Sequence, residues 1–219
     1  SYSILTFFSK KRNSTLIISI AHSKGGCGKS LLTLNLAPLI KDLVLIDLDT
    51  QKSITQINQV RDKKHQIRSA TTEQDFFNII DSNESKNILI DCGGIDSDLN
   101  RLAVVNSDIL IVPVKDNSFE ILAFMRYIRV LDKLTKKNQN LKVIALINNV
   151  HHSLNDFKRL KELISKTEYI SLAKTIIRQR ADYANFLEEG STVVEKSQDT
   201  KAKQEIKSLY QEIKGFLNE

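Results

Sequence analysis

The stretch that decides the fold reads Ser23-Lys24-Gly25-Gly26-Cys27-Gly28-Lys29-Ser30. An apolar run over 16–21 precedes it and predicts a buried strand, and an amphipathic helix is predicted over 29–40 directly after it. Glycines let backbone N–H groups turn inward around a phosphate chain, and the N-terminus of a helix adds positive potential there. A strand, a glycine-rich loop and a helix in this order predict a phosphate-binding P-loop.

The loop residues have separate predicted tasks. Lys29 is expected to reach the β and γ phosphates of a nucleotide, and the Ser30 hydroxyl is expected to ligate magnesium. ATP and Mg²⁺ are therefore the expected cofactors. The nucleotide-binding residues predicted in this segment are Lys24, Gly25, Gly26, Cys27, Gly28, Lys29, Ser30 and Leu31.

The chain as a whole alternates apolar strands with helices. Strands are predicted over 16–21, 43–48, 87–92, 108–114, 141–148 and 172–177. Helices are predicted over 29–40, 53–61, 72–81, 97–106, 118–137, 154–166, 180–189 and 200–217. Each strand is a nearly continuous apolar run, as burial on both faces of a parallel sheet requires. The sequence predicts an α/β fold with a doubly wound, mostly parallel sheet flanked by helices, and ligands at the carboxyl ends of its strands.

Three aspartates end predicted strands at this edge. Asp47 and Asp49 alternate at the end of the second strand, so their side chains point to the same side. Asp91 ends the apolar run 87–92 in the Walker B form, which predicts a carboxylate that holds magnesium through water. Carboxylates beside a magnesium nucleotide can hold metal-bound waters or position an attacking water.

The P-loop resembles the K-G-G-x-G-K-[ST] signature of the ParA/MinD group, the deviant Walker A ATPases. Ser23 stands where the general P-loop pattern has glycine, and Lys24 lies five positions before Lys29. By this resemblance, Lys24 reaches across a nucleotide-sandwich homodimer to the phosphates of the partner's ATP. A solvated loop lysine is the alternative.

The resemblance continues from about residue 15 to the end of the chain. Asp47 to Gln51 are similar to the family motif D-x-D-P-Q, with Thr50 in place of proline, which implies that Asp49 orients the hydrolytic water and that Asp47 lies near the metal. The implied catalytic residues are thus Lys24, Lys29 and Asp49, and the implied metal residues are Ser30, Asp47 and Asp91.

The later segments are similar to the short ParA and ParF-type plasmid partition proteins. Gly93-Gly94 follow Asp91 where most ParA relatives have two prolines, and are closer to the ParF pattern. The stretches 173–183 and 189–195 resemble the patterns T-x-I-x-x-R-x-x-Y and G-x-S-V-x-E. The family also implies a polar residue near adenine at Asn148, although an asparagine that caps the next loop is an equally simple interpretation.

Basic residues form a stripe on the predicted helix 118–137, opposite its apolar stripe. A solvated face and a surface for DNA phosphates fit this pattern equally well, and the resemblance favours DNA bound without sequence preference. The residues predicted to contact DNA are Arg126, Arg129, Lys133, Lys137, Arg178 and Arg180.

Composition and cysteine spacing argue against several other classes of protein. The 219 residues are 41% hydrophobic and support one domain over 16–219, preceded by an N-terminal extension over 1–15 that is too short for a helix-turn-helix domain. Cys27 and Cys92 lack the spacing of a zinc site or of an iron–sulfur reductase. No apolar run is long enough to span a membrane, so we expect a cytoplasmic, nucleoid-associated protein without stable membrane association.

The resemblance to the ParA group implies a Mg-dependent ATPase of DNA partition. It is expected to dimerise on ATP, to bind DNA and to hydrolyse ATP slowly under stimulation by a small centromere-binding partner. The alternative is a MinD-like ATPase that cycles on membranes to position the division site. The amphipathic segment 202–217 carries Glu205 and Glu212 on its polar side, and membrane-surface helices are instead rich in Lys and Arg there.

Overall fold

The computed structural model describes residues 15–94 and 97–217. The predicted N-terminal extension lies outside the described residues apart from Thr15. The strands are β1 (Ile17–Ile20), β2 (Leu43–Asp47), β3 (Ile67–Ser69), β4 (Asn87–Asp91), β5 (Ile109–Val114), β6 (Lys142–Val150) and β7 (Ile170–Arg178). The helices are α1 (Lys29–Leu36), α2 (Ser53–Val60), α3 (Glu73–Asp81), α4 (Asp98–Val105), α5 (Ser118–Lys137), α6 (Lys158–Ile164), α7 (Asp182–Glu188) and α8 (Lys201–Leu217).

The seven strands form one sheet in the order β3-β2-β4-β1-β5-β6-β7, and every pair is parallel. Helices cover both faces of the sheet, and a hydrophobic core lies on each face. The neighbouring residues Ile17 and Ile18 point to opposite faces and so belong to different cores. One core packs against α3, α4, α5 and α6, and the other against α1, α2, α7 and α8. The predicted α/β, doubly wound fold is confirmed.

The sheet register brings the predicted site together. Asp91 at the end of β4 pairs with Ile20 at the end of β1 on one side and with Asp47 at the end of β2 on the other. Because parallel strands end at the same edge, the P-loop and both carboxylates meet there. In the described part of the chain, no helix combines the length and the apolar content that crossing a membrane requires.

Two predicted helices and one short strand differ between the sequence analysis and the structure. The helix predicted over 29–40 ends at Leu36 and continues as a 3₁₀ turn over Ala37–Leu39, because Pro38 has no N–H to donate within an α-helix. The helix predicted over 154–166 covers only 158–164, where the Asp156 carboxylate accepts the N–H of Lys158 and holds the preceding residues in a turn. Strand β3 was not predicted from the sequence, since it is three residues long and mostly exposed.

Candidate nucleotide-binding site

The P-loop runs from the end of β1 to the first residue of α1, and one glycine of the loop and one glycine after β4 allow two close approaches. Gly28 has a φ of 88°, and a Cβ atom there would lie 2.7 Å from Nδ2 of Asn148. A Cβ atom on Gly94 would lie 3.0 Å from the Cα atom of Gly25. Glycine at these positions therefore lets the loop adopt a left-handed conformation and pack against its neighbours.

A cleft of about 520 Å³ opens beside this loop, a size that suits a small-molecule ligand. Its lining includes loop glycines, the start of α1 and the segment after β2: Gly25, Gly26, Gly28, Lys29, Ser30, Leu31, Asp49, Thr50, Gln51, Ser53 and Gly94. The buried Lys29 ammonium donates to the Lys24 carbonyl at 3.1 Å. The cleft thus combines a cation, backbone N–H groups at a helix N-terminus and a carboxylate, which is the chemistry that a magnesium nucleotide needs.

Asp91 lies beneath the cleft, fully buried. Its Oδ1 accepts the Thr33 hydroxyl at 3.3 Å, and its Oδ2 has no hydrogen-bond partner among the described residues. Burial raises the pKa of Asp91 to about 7, and the nearby Asp47 charge adds to the rise, while the Ser30 side chain opposes it. A cation next to the free oxygen would favour the ionised carboxylate. Ser30 and Asp91 therefore fit a magnesium site.

Asp47 and Asp49 differ in environment although both follow β2. Asp47 is buried, and its carboxylate accepts the N–H of Asp49 at 3.1 Å and the Thr55 hydroxyl and N–H at 2.6 and 3.2 Å. These bonds fasten α2 to the end of β2. Asp49 is half-buried at the cleft, where Oδ1 accepts the N–H of Gln51 at 3.0 Å. Only Asp49 of the two lines the cleft.

Lys24 stands on the rim of the loop and contacts a residue that the sequence did not single out. Its ammonium lies 2.7 Å from Oε1 of Glu120 in the first turn of α5, and the two side chains are 37% and 9% exposed. The second carboxylate oxygen of Glu120 is buried without a hydrogen-bond partner among the described residues. In the sequence, Asn117-x-x-Glu120 looks like an ordinary helix start, so no local signal indicates this ion pair.

Asn148 lies behind the P-loop. Its side chain is buried, and its Nδ2 donates to the carbonyl of Cys27 at 2.7 Å. It is not among the residues that line the cleft. In this arrangement the side chain supports the backbone of the P-loop rather than that of the loop that follows Asn148, and a contact with adenine stays a prediction.

The six predicted DNA residues fall into two groups. Arg126, Arg129, Lys133 and Lys137 are exposed along one helix, α5. Arg180 instead pairs with Glu205 of α8 at 2.5 Å, on the other face of the sheet. The Arg178 guanidinium donates to Asn155 at 2.9 Å and to the carbonyls of His151 and Leu154. The structure thus brings together the first four residues only.

Comparisons with known proteins agree with this geometry. Residues 18–193 match the CobQ/CobB/MinD/ParA nucleotide binding domain. The carboxysome distribution maintenance protein A of Halothiobacillus neapolitanus is 20% identical over 190 residues, which cover 83% of this chain and 88% of that protein.

Solved structures of the same fold include a cell division complex and a plasmid partition protein. The MinC:MinD cell division complex of Aquifex aeolicus has a TM-score of 0.72 at 20% identity, over 92% of this chain and 96% of that one. A plasmid partition protein of Borrelia burgdorferi bound to AMPPNP has a TM-score of 0.65 at 17% identity, over 92% of this chain and 99% of that one. With the family match spanning most of its length, this chain belongs to the CobQ/CobB/MinD/ParA nucleotide-binding domain family.

Proposed function

We propose that this chain is an ATP-dependent DNA partition ATPase that dimerises on ATP and holds DNA without sequence preference. The observation that carries the proposal is the placement of two lysines in one loop. Lys29 is buried at the start of α1, where it suits the phosphates of a nucleotide in the same chain. Lys24 points away to the rim, where it suits the phosphates of a nucleotide held by a second copy.

In the proposed reaction, the loop N–H groups and Lys29 bind the phosphates of ATP and stabilise the charge that develops on them. Ser30 and Asp91 would hold magnesium, which when bound neutralises charge on the phosphate oxygens. Asp49, the half-buried carboxylate at the cleft, accepts a hydrogen bond from the water that attacks the γ-phosphate and so orients it. Asp47 keeps α2 and the Asp49 segment in place.

The proposed dimer surface includes an apolar stripe beside Lys24. Phe119, Leu122 and Met125 recur at three-residue spacing on the first half of α5, and they are 80%, 52% and 43% exposed. Glu120, which holds Lys24, directly follows Phe119 in the first turn of the helix. Exposed apolar groups at this density are typical of an interaction surface, and burial against a second copy would remove them from water.

The proposed DNA surface lies further along the same helix, from Arg126 to Lys137. Arg126, Arg129, Lys133 and Lys137 are exposed there, and the face carries no aromatic residue that could stack on bases. Such a surface binds phosphates and releases counterions, so its affinity falls steeply as salt rises. The proposed location is the nucleoid in the cytoplasm, and the proposed stimulating partner is a small centromere-binding protein.

A nucleotide-dependent binding experiment tests this function. The full chain is titrated into a fluorescent DNA duplex of arbitrary sequence, with Mg-ATP, with Mg-ADP or without nucleotide, and anisotropy is recorded at several salt concentrations. We expect binding with ATP only, weakened by salt and indifferent to sequence. Absence of DNA binding in all three states would contradict the proposal.

A parallel sedimentation with vesicles of phosphatidylglycerol and phosphatidylcholine tests the membrane-cycling alternative. The apolar side chains Ile206, Leu209 and Ile213 of α8 are buried in the second core, so they are not available to a bilayer. We therefore expect the chain to stay in the supernatant. ATP-dependent pelleting with vesicles, together with no shift of DNA, would favour the membrane-cycling function instead.

A further inference from the structure

A buried ion pair joins the end of α2 to the segment before α8. The guanidinium of Arg61 is 0% exposed, and its Nη2 donates to both carboxylate oxygens of Glu195 at 2.9 and 3.0 Å. Its Nε donates to the Lys63 carbonyl at 3.2 Å. The pair spans 134 positions of sequence, and a charge this deeply buried persists only with a well-placed partner.

Backbone contacts reinforce this connection. The N–H of Asp62 donates to the carbonyl of Gly190 at 2.9 Å, next to the ion pair. Gly190 has a φ of 73°, and a Cβ atom there would lie 2.8 Å from the carbonyl oxygen of Val60. The Thr192 hydroxyl donates to Oε2 of Glu195 at 2.8 Å. The end of α2 is therefore held by the segment 190–195 through both main chain and side chains.

The same segment is bonded to the P-loop helix. Oδ1 of Asn35, a buried residue of α1, accepts the N–H of Val193 at 3.1 Å. At the other end of α2, the Asp47 carboxylate accepts the hydroxyl and N–H of Thr55, and it also accepts the N–H of Asp49. A continuous set of contacts thus runs from α1 through Glu195, Arg61 and α2 to the residue that lines the cleft.

We infer that Arg61 and Glu195 are positioning residues that hold Asp49 in register with the P-loop. This inference rests on the proposed function, in which Asp49 orients the attacking water. In the proposed site the phosphates contact the loop and α1 directly, whereas Asp49 lies between the end of β2 and the start of α2. Its place therefore depends on how α2 is held as well as on the sheet. Loosening the ion pair therefore slows hydrolysis and leaves ATP affinity nearly unchanged.

The experiment compares turnover with binding in Glu195→Gln. This variant keeps the shape of the side chain but removes its charge. We expect kcat to fall about 10-fold to 100-fold, as small misplacements of reacting groups do, while Kd for a fluorescent ATP analogue changes less than about twofold. All assays run well below the Tm of the variant. The matched control is Glu205→Gln, since Glu205 also accepts from an arginine, but it joins α8 to Arg180 and does not contact α2. We expect this control to turn over ATP like the parent chain.

A second variant covers the case in which Glu195→Gln does not fold. Thr192→Val preserves volume and removes only the hydroxyl that holds Glu195, and we expect a smaller fall in kcat at unchanged Kd. In addition, Arg61→Met combined with Glu195→Gln should lower kcat no further than either change alone, because both act through one contact.

Two results would overturn the inference. One is a normal kcat in Glu195→Gln, or in Thr192→Val if that variant alone folds. The other is a fall in ATP affinity that matches the fall in kcat, which is the mark of a general structural role. Asp49→Ala separates this failure from that of the proposed function: if Asp49→Ala is inactive while Glu195→Gln is normal, only the positioning role is wrong.

Discussion

The Lys24 ammonium and the Glu120 carboxylate form an ion pair of 2.7 Å within one chain. Lys24 is the residue that the proposed function places on the nucleotide of a second copy. A single ammonium cannot contact Glu120 and a phosphate of the partner with full strength at once, so the internal pair competes with the proposed dimer.

Glu120→Gln should therefore favour the ATP-bound dimer. A pair whose lysine is 37% exposed is worth about 1 kcal/mol or less, so we expect the dimer to tighten about twofold to fivefold. Sedimentation velocity with Mg-AMPPNP over a range of protein concentrations measures this effect. A weaker dimer in Glu120→Gln would show that the carboxylate supports the interface rather than competing with it.

Lys24→Ala should bind ATP as a monomer but lose ATP-dependent dimerisation. The side chain lies on the loop rim, outside the cleft lining, so the phosphate contacts of its own chain remain. Nucleotide affinity is measured by fluorescence and the oligomeric state by sedimentation velocity. Lys41→Ala removes an exposed lysine elsewhere and serves as the control. An unchanged dimer in Lys24→Ala would make this residue a solvated loop lysine.

Asp49→Ala should retain ATP and stay on DNA as a dimer. Loss of a carboxylate that orients the attacking water is expected to lower turnover about 100-fold or more. Phosphate release and the dissociation rate from DNA are the two measurements. Rapid turnover in this variant would rule out the role proposed for Asp49.

The basic residues of α5 between Arg126 and Lys137 should control DNA affinity. Replacing Arg126, Arg129 and Lys133 with alanine is expected to weaken binding to all sequences alike. The slope of log K against log salt should decrease by about 0.9 for each phosphate that the variant no longer neutralises. The control replaces three lysines exposed on other surfaces, Lys41, Lys64 and Lys207, so the change in net charge is equal. An equal weakening of DNA binding in the two triple variants would show that only net charge matters.

The apolar stripe of α5 should control dimerisation instead. Phe119→Glu combined with Leu122→Glu is expected to abolish the ATP-dependent dimer, since charged groups resist burial in an interface. ATP binding should persist, because neither side chain lines the cleft. Val60→Glu changes an apolar residue that is 67% exposed on another surface and should leave the dimer intact. A dimer that survives the double change would exclude this stripe from the interface.

Sequence patterns predicted the elements that are locally encoded. The strands β1, β4 and β5 are nearly continuous apolar runs, and each lies within one or two residues of its predicted bounds. Strand β3 was not predicted because it lies at the edge of the sheet. It has one neighbouring strand there and is partly exposed, so its sequence does not need to be apolar. A short edge strand carries little of the apolar signal that identifies a central strand.

The roles of individual charged residues were less accessible from sequence. Asp47 and Asp49 look alike in the motif, yet their contacts differ. The Asp47 carboxylate accepts hydrogen bonds from Thr55 near the start of α2, whereas Asp49 lines the cleft. Similarly, Arg180 belongs to a basic sequence pattern but is neutralised by Glu205 of α8. Each assignment depends on where a following helix packs, which no local spacing encodes.

The sequence by itself determined the phosphate loop and the α/β fold, because glycine geometry, helix starts and apolar runs act between near neighbours in the chain. Only the tertiary structure decided that Lys24 meets Glu120, 96 positions away, and that Arg61 meets Glu195. The physical reason is that a hydrogen-bonded ion pair needs its atoms within about 3 Å. Folding of the whole sheet and its helices must first bring such distant side chains together.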